Sequence, residues 1–431
     1  MKVTKFGGTS LASSSQLRKV KEIVYQDANR HIVVASAPGK RNDEDIKITD
    51  LLLALNTKRN DEKIKEEIIS RFKEIIFDLK VDQNIFQEVS DYFTNIDELA
   101  SSSEIVSRGE YFCAKILAFH LQFKFIDAKD FLFFDSNGKI DFEESKRAFF
   151  KLYKNGDYAV IPGFYGSDEK GDICLFSRGG SDITGAYIAS FVSASCYENW
   201  TDVSGIFSVN PSIVHNPSKI SSISYDEIRE LSYMGANVIH SDSILPCQER
   251  NIPIYIKNTN KPEDKGTLIS SYSSNNMITG IAGKSGYLSM TLSKRDIHSD
   301  VNSLFKVLRI LSEYDVQGES IASGIDCLSL TFLEKNIISS LNEITFKLSH
   351  LLDAKVEVRN NLSLVSIVSK NKKDRYQIIT KIFEILKNNQ IKTRLVDHLN
   401  DDYSIIIGVD DTCLNNTISS LYNGFNNMRL I

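Results

Sequence analysis

The stretch Lys5-Phe6-Gly7-Gly8-Thr9-Ser10 joins a strand-like run, Val3–Phe6, to a helical pattern from about Ser14 to Gln26. Two consecutive glycines let backbone N–H groups approach an anion closely, and the N-terminus of the following helix favours negative charge. Lys5 adds a mobile cation, so the stretch predicts a cradle for a phosphate group. Taken alone, a tight strand-to-helix turn with an incidental lysine explains the stretch equally well.

Strands and helices continue to alternate beyond this first unit. Further strand-like runs are His31–Ala35, Tyr158–Pro162 and Ile252–Lys257, and helical patterns cover Glu62–Leu79, Glu104–His120, Ile183–Ala194 and Tyr225–Met234. This β-α-β rhythm predicts an α/β fold, a three-layer sandwich around a mainly parallel sheet. Helical insertions at about Asp61–Leu99 make one side of the sandwich richer in helix.

The composition excludes several classes of protein. The chain has 431 residues, of which 42% are hydrophobic, and this favours two to three folded domains over disorder. A net charge of -5 provides no field that would hold a polyanion, so we expect no nucleic-acid partner. No long apolar run and no close pair of cysteines occurs, so we expect a cytoplasmic protein with reduced thiols, no membrane span and no metal-ligand cluster.

The C-terminal part of the chain differs from the rest. All seven prolines precede residue 263, and the polar stretch Ser270–Asn276 is typical of a linker. Beyond it, the apolar pattern at Val307–Leu311 recurs at Ile382–Leu386, an offset of about 75 residues. Each copy predicts a ferredoxin-like βαββαβ domain. We therefore predict a domain at 1–275, a second at 276–353 and a third at 354–431.

Two further motifs point to anion or ligand binding. In Ser177-Arg178-Gly179-Gly180-Ser181-Asp182, Arg178 can grip a carboxylate through two hydrogen bonds, and the glycines expose the backbone. Ser181 and Asp182 are at a natural N-cap, and capping alone explains part of this motif. Thr201-Asp202-Val203-Ser204-Gly205 ends a strand and can bind a ribose or a base edge, although an ordinary turn explains it when it stands alone.

These segments, in this order, resemble the aspartate kinases of the amino-acid kinase superfamily. The resemblance also covers Ser107-Arg108-Gly109-Glu110, Gly163-Phe164-Tyr165-Gly166, Met234-Gly235-Ala236 and Ile252–Asn258, and so extends over nearly the whole chain. The proline-free repeat is similar to the paired ACT domains that regulate this family. The resemblance implies transfer of the γ-phosphoryl group of Mg-ATP to the side-chain carboxylate of L-aspartate, the first step towards lysine, threonine and methionine.

The resemblance also implies roles for individual residues. Lys5 would neutralise phosphoryl oxygens, with Asp182 holding it in place. The aspartate site would comprise Thr49, Glu110, Phe164, Arg178, Gly179, Gly180 and Ser181. The ATP site would comprise Lys5, Phe6, Gly7, Gly8, Thr201, Asp202, Phe207, Ser212 and Asn237, with Mg²⁺ as the cofactor. Without the resemblance, Glu110 is equally explained as a solvated helix acid and Thr49 as the N-cap of a helix at Asp50–Leu55.

Four residues depart from the common pattern of the family. Phe207 replaces a tyrosine, Asn210 and Ser212 replace an aspartate and an arginine, and Asn237 replaces a lysine. These losses remove up to two cations from the nucleotide side, so we expect weaker ATP binding or greater dependence on Mg²⁺. We hypothesise that Lys257 or Lys261 partly compensates.

The paired repeats imply regulation and assembly. By resemblance, they associate between chains into a homodimer or homotetramer and bind lysine or threonine as a feedback inhibitor. Candidate effector contacts are Ser299, Asp300, Glu319 and Ser323, although each can also be an ordinary exposed loop residue. The alternative function is a non-catalytic amino-acid sensor with a degenerate kinase domain.

Overall fold

The computed structural model describes residues 1–96, 100–177, 179–236, 239–272, 276–299, 301–370, 375–398 and 403–428. It divides into two compact units. The first comprises Met1–Ile206, Lys219–Ser232 and Asn237–Ser274, and the second Phe207–Ser218, Tyr233–Ala236 and Asn275–Ile431, in each case for the described residues. In the part of the chain that the structure describes, we find no helix long and apolar enough to cross a membrane.

The first unit contains the strands and helices before residue 275, apart from Phe207 and Tyr233, the last residues of one strand and one helix, which belong to the second unit. Its strands are β1 (Lys2–Phe6), β2 (Arg30–Ala35), β3 (Lys124–Phe125), β4 (Ala159–Pro162), β5 (Tyr165–Ser167), β6 (Ile173–Leu175) and β7 (Cys196–Thr201), followed by β8 (Ile206–Phe207), β9 (Lys219–Ile220), β10 (Ser222–Ser224), β11 (Ile254–Asn258) and β12 (Thr267–Ser270). Its helices are α1 (Ser14–Tyr25), α2 (Ile48–Thr57), α3 (Glu62–Leu79), α4 (Gln83–Thr94), α5 (Ser102–Leu121), α6 (Phe142–Leu152), α7 (Gly180–Phe191), α8 (Tyr225–Tyr233) and α9 (Leu245–Gln248).

The main sheet of this unit has the strand order β10-β12-β11-β7-β1-β2-β4-β3 among the described residues. Strand β1 lies near its centre and pairs in parallel with both β2 and β7. The β11–β12 pair is antiparallel, whereas the other neighbours are parallel. Helix α5 packs on β2, β3 and β4, and α7 packs on β1, β2 and β7. Helices cover both faces, which confirms the predicted α/β sandwich.

Successive side chains of β1 point to opposite faces of the main sheet, and this alternation decides which layer of the sandwich each of them enters. Phe6 is fully buried in the core that helices α1 to α5 form, where its ring stacks on Trp200 at 6.0 Å. Lys5 necessarily points to the opposite face, where α7 packs. The predicted insertion forms α3 and α4, whose apolar side chains pack into the same core as Phe6. Strand β1 therefore supplies a core residue, Phe6, on one face of the sheet and a cation, Lys5, on the other.

A buried ion pair stabilises the centre of this sheet. Arg30 on β2 donates to Glu198 on β7 at 2.8 Å, and the Trp200 indole donates to the same carboxylate oxygen at 3.0 Å. Both charged side chains are nearly inaccessible to water. Burial is the largest single effect and raises the pKa of Glu198, but the hydrogen bonds from Arg30 and Trp200, together with the positive charges of Arg30 and Lys2, outweigh it and lower the pKa.

We expect Glu198→Ala to lower the free energy of unfolding by about 3–5 kcal/mol, because Arg30 would keep its charge in a buried position without a counterion. Chemical denaturation measures this change. The matched control is Glu144→Ala, which removes the exposed Glu144–Arg147 pair and should cost less than about 1 kcal/mol. Equal losses in the two variants would contradict a special contribution from the buried pair.

The second unit contains the predicted repeat. Its strands are β13 (Gly280–Ser293), β14 (Ser320–Ser323), β15 (Cys327–Leu333), β16 (Lys355–Val368), β17 (Leu395–Asp397) and β18 (Ser404–Asp410). Its helices are α10 (Val301–Glu313), α11 (Glu334–Ile337), α12 (Leu341–Leu352), α13 (Arg375–Asn388) and α14 (Leu414–Asn427). The described strands form an antiparallel sheet in the order β14-β15-β13-β16-β18-β17. Helices α10 and α13 occupy the repeated positions, as the offset predicts.

Two apolar cores lie along this sheet and share its two long strands. One core contains Leu288 and Met290 from the later part of β13, together with side chains of α10 and α12. The other contains Ile281 from the beginning of β13, with Val365 and Ile367 from the end of β16 and side chains of α13 and α14. The pairing of β13 with β16 shifts register between Lys284 and Tyr287, where the strand passes from one core to the other.

Candidate active site

A pocket opens at the carboxyl ends of the central strands β1, β2 and β7, where ligands commonly bind in parallel sheets. Residues of five sequence motifs meet there, although these motifs are far apart along the chain. The lining residues are Lys5, Gly7, Gly8, Thr9, Ser36, Ala37, Pro38, Gly39, Lys47, Thr49, Glu110, Phe164, Gly179, Gly180, Ser181, Asp182, Thr201 and Asp202.

An ion pair between Lys5 and Asp182 lies in this pocket. The Lys5 Nζ and Asp182 Oδ1 atoms are 2.6 Å apart, and both side chains are largely buried. Lys5 comes from the end of β1, and Asp182 from the first turn of α7. The pair therefore brings together the first and second predicted motifs, at the pocket end of the sheet.

The start of α7 differs in detail from the prediction. We expected Ser181 and Asp182 at the N-cap, but the helix begins at Gly180 and its N-cap is Gly179. Gly179 has a φ of 61°, and a Cβ atom at this position would lie 2.5 Å from the Cβ of His240. Only glycine fits both constraints, and with Gly179 as the N-cap Asp182 is the third residue of the helix, in its first turn, where it pairs with Lys5.

The second glycine after β1 allows close backbone approach. A Cβ atom on Gly8 would lie 3.0 Å from the Ala37 carbonyl oxygen, whereas one on Gly7 would make only an ordinary contact, 3.5 Å from Lys5 Nζ. The Gly39 N–H donates to the Gly8 carbonyl at 2.8 Å, and a Cβ on Gly39 would lie 2.6 Å from the Gly8 carbonyl carbon. Gly39 was not identified from the sequence, because its partner is about 30 residues away in the chain.

A buried arginine holds the loop that carries Gly39. Arg71, on α3, donates to the carbonyl oxygens of Gly39 at 2.9 Å and Ile46 at 3.0 Å. It also pairs with Asp45 at 3.0 Å, and both of these side chains are buried. The helical insertion thus fixes both ends of the loop that forms one wall of the pocket.

Glu110 is a buried acid at the pocket. It is 5% exposed, and among the described residues its Oε2 atom has no hydrogen-bond partner. Burial raises the pKa of Glu110 to about 8, although the backbone N–H of Ala37 acts in the opposite direction. The interpretation of Glu110 as a solvated helix acid is therefore wrong. A buried carboxyl group with an unused oxygen is suited to bind a cationic group of a ligand.

Helix α2 begins at Ile48, after the N-cap Lys47, so Thr49 lies within the first turn. The interpretation of Thr49 as an N-cap is therefore wrong, and its place in the pocket lining agrees with the predicted aspartate site. Lys47 also lines the pocket. The sequence analysis missed this lysine because nothing in its local pattern distinguishes it from other surface lysines.

Phe164 lines the pocket with a strained backbone. Its φ is 77°, which is rare for a bulky residue, and its N–H donates to the Thr184 hydroxyl at 3.2 Å. The neighbouring Gly163 approaches α7 so closely that a Cβ would lie 2.6 Å from the Ser181 Cβ. Strain of this kind is concentrated at functional sites, where the surrounding contacts maintain it.

Several predicted residues lie elsewhere. Phe6 does not line the pocket, because its side chain is fully buried in the core on the opposite face. Phe207 and Ser212 belong to the second unit. Arg178 and Asn237 lie outside the described residues.

Neither compensating lysine lines the pocket. The Lys257 ammonium lies 4.9 Å from the centre of the Trp200 ring, and Lys261 is exposed after β11. Lys47 is the cation that the pocket has in addition to Lys5, among the residues that the structure describes. The compensation hypothesis therefore gains no support for Lys257 or Lys261.

The predicted effector residues lie in the second unit. Ser299 donates through its hydroxyl to the Asp296 carbonyl at 2.8 Å, and Ser323 is exposed at the end of the edge strand β14. Glu319 is half-buried and accepts a hydrogen bond from the Tyr233 hydroxyl. Asp300 lies outside the described residues.

Comparison with known proteins identifies the family. Residues 1–258 match the amino acid kinase family. The chain is 33% identical to Aspartokinase 3 of Bacillus subtilis, over 99% of this chain and 98% of that relative. The chain belongs to the aspartokinase family. It is thus an aspartate kinase, an enzyme with a nucleotide substrate.

Solved structures support the same family and fold. The aspartate kinase of Clostridium acetobutylicum, described as an allosteric enzyme, is 40% identical, with a TM-score of 0.86 over 99% of both chains. Escherichia coli aspartokinase III, crystallised with aspartate and ADP, shares the fold at 22% identity, with a TM-score of 0.82 over 99% of this chain and 100% of that chain. The lysine-sensitive aspartokinase 3 of Escherichia coli is 26% identical over 90% of this chain and 92% of the relative.

Proposed function

We propose that this aspartate kinase uses the pocket at the end of β1 to transfer the γ-phosphoryl group of ATP to the β-carboxylate of L-aspartate. The product is 4-phospho-L-aspartate. The observation that carries the proposal is the 2.6 Å Lys5–Asp182 pair beside the Gly7-Gly8 turn, in a pocket that also contains the buried Glu110. The membership of the aspartokinase family supports the choice of acceptor.

The chemistry requires charge neutralisation more than proton transfer. The β-carboxylate of aspartate is already ionised at neutral pH, so the attacking oxygen needs no general base. Attack by this oxygen on the γ-phosphorus forms the acyl phosphate bond while the bond to the β-phosphate oxygen of ATP breaks, with ADP as leaving group. Negative charge is shared among the phosphoryl oxygens during transfer, and Lys5 is the buried cation placed to balance it.

The remaining polar groups match the charges of the amino acid. Glu110 would bind the α-ammonium group, and Arg178 the α-carboxylate. Thr49, Phe164, Gly179, Gly180 and Ser181 would complete the aspartate site. All of these except Arg178 line the pocket among the described residues. Such positioning places the β-carboxylate against the phosphoryl group, which lowers the entropic part of the barrier.

The nucleotide would occupy the part of the pocket formed by Gly7, Gly8, Thr201 and Asp202. Of the other proposed ATP contacts, Phe207, Ser212 and Asn237 stay predictions, and Phe6 can contribute only its backbone. Mg²⁺ commonly binds through one or two carboxylates, water and substrate phosphates. Asp182 and Asp202 fit this requirement, and they would hold the ion. When bound, Mg²⁺ neutralises charge on the phosphates.

The second unit would regulate the enzyme as a pair of ACT domains at 276–353 and 354–431. We propose lysine as the inhibitor, with threonine as the alternative, bound at Ser299, Asp300, Glu319 and Ser323. The lysine sensitivity of the Escherichia coli relative supports lysine. The half-buried carboxylate of Glu319 suits the ammonium group of an amino acid. A cytoplasmic location is consistent with six free cysteines.

Helix α10 supports assembly into a homodimer or homotetramer. Its inner face packs through Val307, Ile310 and Leu311. A second apolar face is exposed at Val301, Leu304, Phe305 and Leu308, and Phe305 is 65% exposed. These residues have helical spacing, and a continuous exposed apolar stripe commonly marks a protein interface.

We expect Phe305→Asp to shift the protein from dimer or tetramer towards smaller species, because a buried aromatic residue often contributes 2 kcal/mol or more to an interface, as a rough guide. Sedimentation velocity at several protein concentrations measures the change. The control is Phe77→Asp, which alters a half-exposed phenylalanine on α3 in the first unit and should leave the assembly intact. A wild-type chain that sediments as a monomer at all concentrations would refute the proposed assembly.

Turnover of the purified protein with Mg-ATP and L-aspartate tests the proposed function. Hydroxylamine traps the acyl phosphate as a hydroxamate, which is measured with and without lysine and threonine. We expect hydroxamate that depends on aspartate and decreases with lysine. Amino-acid binding without hydroxamate at any Mg²⁺ concentration would instead favour the non-catalytic sensor.

A further inference from the structure

A third buried side chain contacts both members of the Lys5–Asp182 pair. Asn199, on β7, is 2% exposed. Its Oδ1 accepts a hydrogen bond from Lys5 Nζ at 3.4 Å, and its Nδ2 donates to Asp182 Oδ1 at 3.0 Å. The amide therefore uses its acceptor on the cation and its donor on the anion. The family resemblance assigned no role to this residue.

The strand register explains why Asn199 can make both contacts. Lys5 and Asn199 are direct neighbours in the parallel β1–β7 pair. Neighbouring residues in a parallel pair point to the same face, and α7, which carries Asp182, packs on that face. The Tyr197 hydroxyl on β7 also donates to the Asp182 carbonyl at 3.2 Å. Both the side chain and the backbone of Asp182 are thus held by one strand.

We propose that Asn199 is a positioning residue for phosphoryl transfer, which holds the Lys5 ammonium and the Asp182 carboxylate in their catalytic arrangement. This inference rests on the proposed function, because it assigns Lys5 and Asp182 to the reaction. Asn199 does not line the pocket and acts on the substrates only through these two residues.

The hydrogen bonds suggest how the amide acts. Lys5 and Asn199 both contact Oδ1 of Asp182, so Oδ2 is used by neither of them. A donor on Oδ1 shares the negative charge of the carboxylate, which weakens its hold on the Lys5 ammonium. The Lys5 ammonium group, held less tightly by Asp182, can then also interact with the phosphoryl oxygens. A neutral amide achieves this without adding a charge to a buried site.

Two substitutions separate positioning from packing. Asn199→Leu removes both hydrogen bonds and keeps the branched shape of the side chain. Asn199→Asp keeps the size of the side chain and an acceptor for Lys5 but loses the donor to Asp182. It places a second carboxylate beside Asp182, and the two like charges repel each other.

The experiment measures hydroxamate formation from Mg-ATP and L-aspartate for the full-length wild type and both variants. We expect a kcat that is about 10- to 100-fold lower in Asn199→Leu, with the KM for aspartate changed less than about threefold. In Asn199→Asp, kcat should also be about tenfold lower or more, again with little change in the KM for aspartate. A purely structural role would lower thermal stability without this selective loss of kcat.

A control variant tests the loss of a buried hydrogen bond in general. Thr4 is fully buried on β1 and donates to the Ile32 carbonyl at 3.1 Å, outside the pocket. Thr4→Val should reduce thermal stability but leave kcat and the KM for aspartate unchanged. If one Asn199 variant does not fold by circular dichroism, the other decides the question.

The outcomes distinguish two failures. A folded Asn199 variant whose kcat is within twofold of the wild-type value would overturn the positioning role and leave the proposed function intact. A wild-type enzyme that forms no hydroxamate would overturn the proposed function itself and, with it, this inference.

Discussion

The Lys5→Met variant should lose about three orders of magnitude or more in kcat, because it removes the buried cation that we propose lies next to the transferred phosphoryl group. A single preorganised charge-stabilising donor commonly contributes about 10²–10³ in rate, and a full charge contributes more. Methionine keeps the length and apolar stem of lysine, so the packing around β1 is retained. The measurement is hydroxamate formation at saturating ATP and aspartate.

The control for this prediction is Lys47→Met. Lys47 lines the same pocket but is exposed, so solvent screens its charge and we expect less than a tenfold change in kcat. Circular dichroism should show that both variants fold. A kcat of Lys5→Met within tenfold of the wild type would contradict the assignment of Lys5 to the phosphoryl group.

We expect Glu110→Gln to raise the KM for aspartate by about 100-fold, because the buried carboxylate would no longer be available to the α-ammonium group. Removing one partner of a buried charge pair commonly costs about 3–5 kcal/mol, and at pH 7 the deprotonation of Glu110 offsets about 1.4 kcal/mol of this difference. The KM for ATP and the value of kcat should change much less, since Glu110 contacts neither the nucleotide nor the reacting atoms in the proposed arrangement. Initial rates at varied aspartate measure the effect.

The pH dependence of aspartate binding provides a second test of Glu110. Its pKa of about 8 means that the free enzyme holds a proton on this group at neutral pH. That proton must leave before the group can pair with an ammonium ion, so the KM for aspartate should fall as the pH rises from 6 to 8, by up to about tenfold per unit. Glu110→Gln should remove this dependence.

The same shift has a consequence for stability. The folded pKa of Glu110 lies above its ordinary value of 4.5, so ionisation favours the unfolded chain as the pH rises between these two values. Glu110→Gln should therefore melt at a higher temperature than the wild type at pH 8, and at nearly the same temperature at pH 4. Glu104→Gln, which alters a partly exposed acid on the same helix, should show neither effect. Similar behaviour of the two variants would disprove the special role of Glu110.

Local sequence patterns predicted much of the fold. Ser13 caps α1 through its side chain, and the apolar positions of α1 have regular helical spacing, so this helix was predicted almost to the residue. The strand β1 and the helix α10 were equally evident, because one periodicity governs each element. The Gly7-Gly8 and Gly179-Gly180 motifs also indicated a ligand site, and the structure places both in one pocket.

Contacts between distant parts of the chain could not be predicted from local sequence patterns. Gly39 and Arg71 shape the pocket wall through backbone contacts that no local motif encodes. The pairing of Asn199 with Lys5 depends on the order and register of the strands. Phe6 shows the converse error, since family resemblance included it in a binding stretch although strand alternation places its side chain in the core.

The two long strands of the second unit set a limit on protein engineering. The strands β13 and β16 each contribute side chains to both apolar cores. A chain cut after residue 353 would lose β16, and each core would then lose the side chains that this strand supplies. The two halves of this unit should therefore melt in one cooperative transition, and neither can be grafted alone onto another enzyme. A chimera that exchanges this unit must carry the whole segment from β13 to α14.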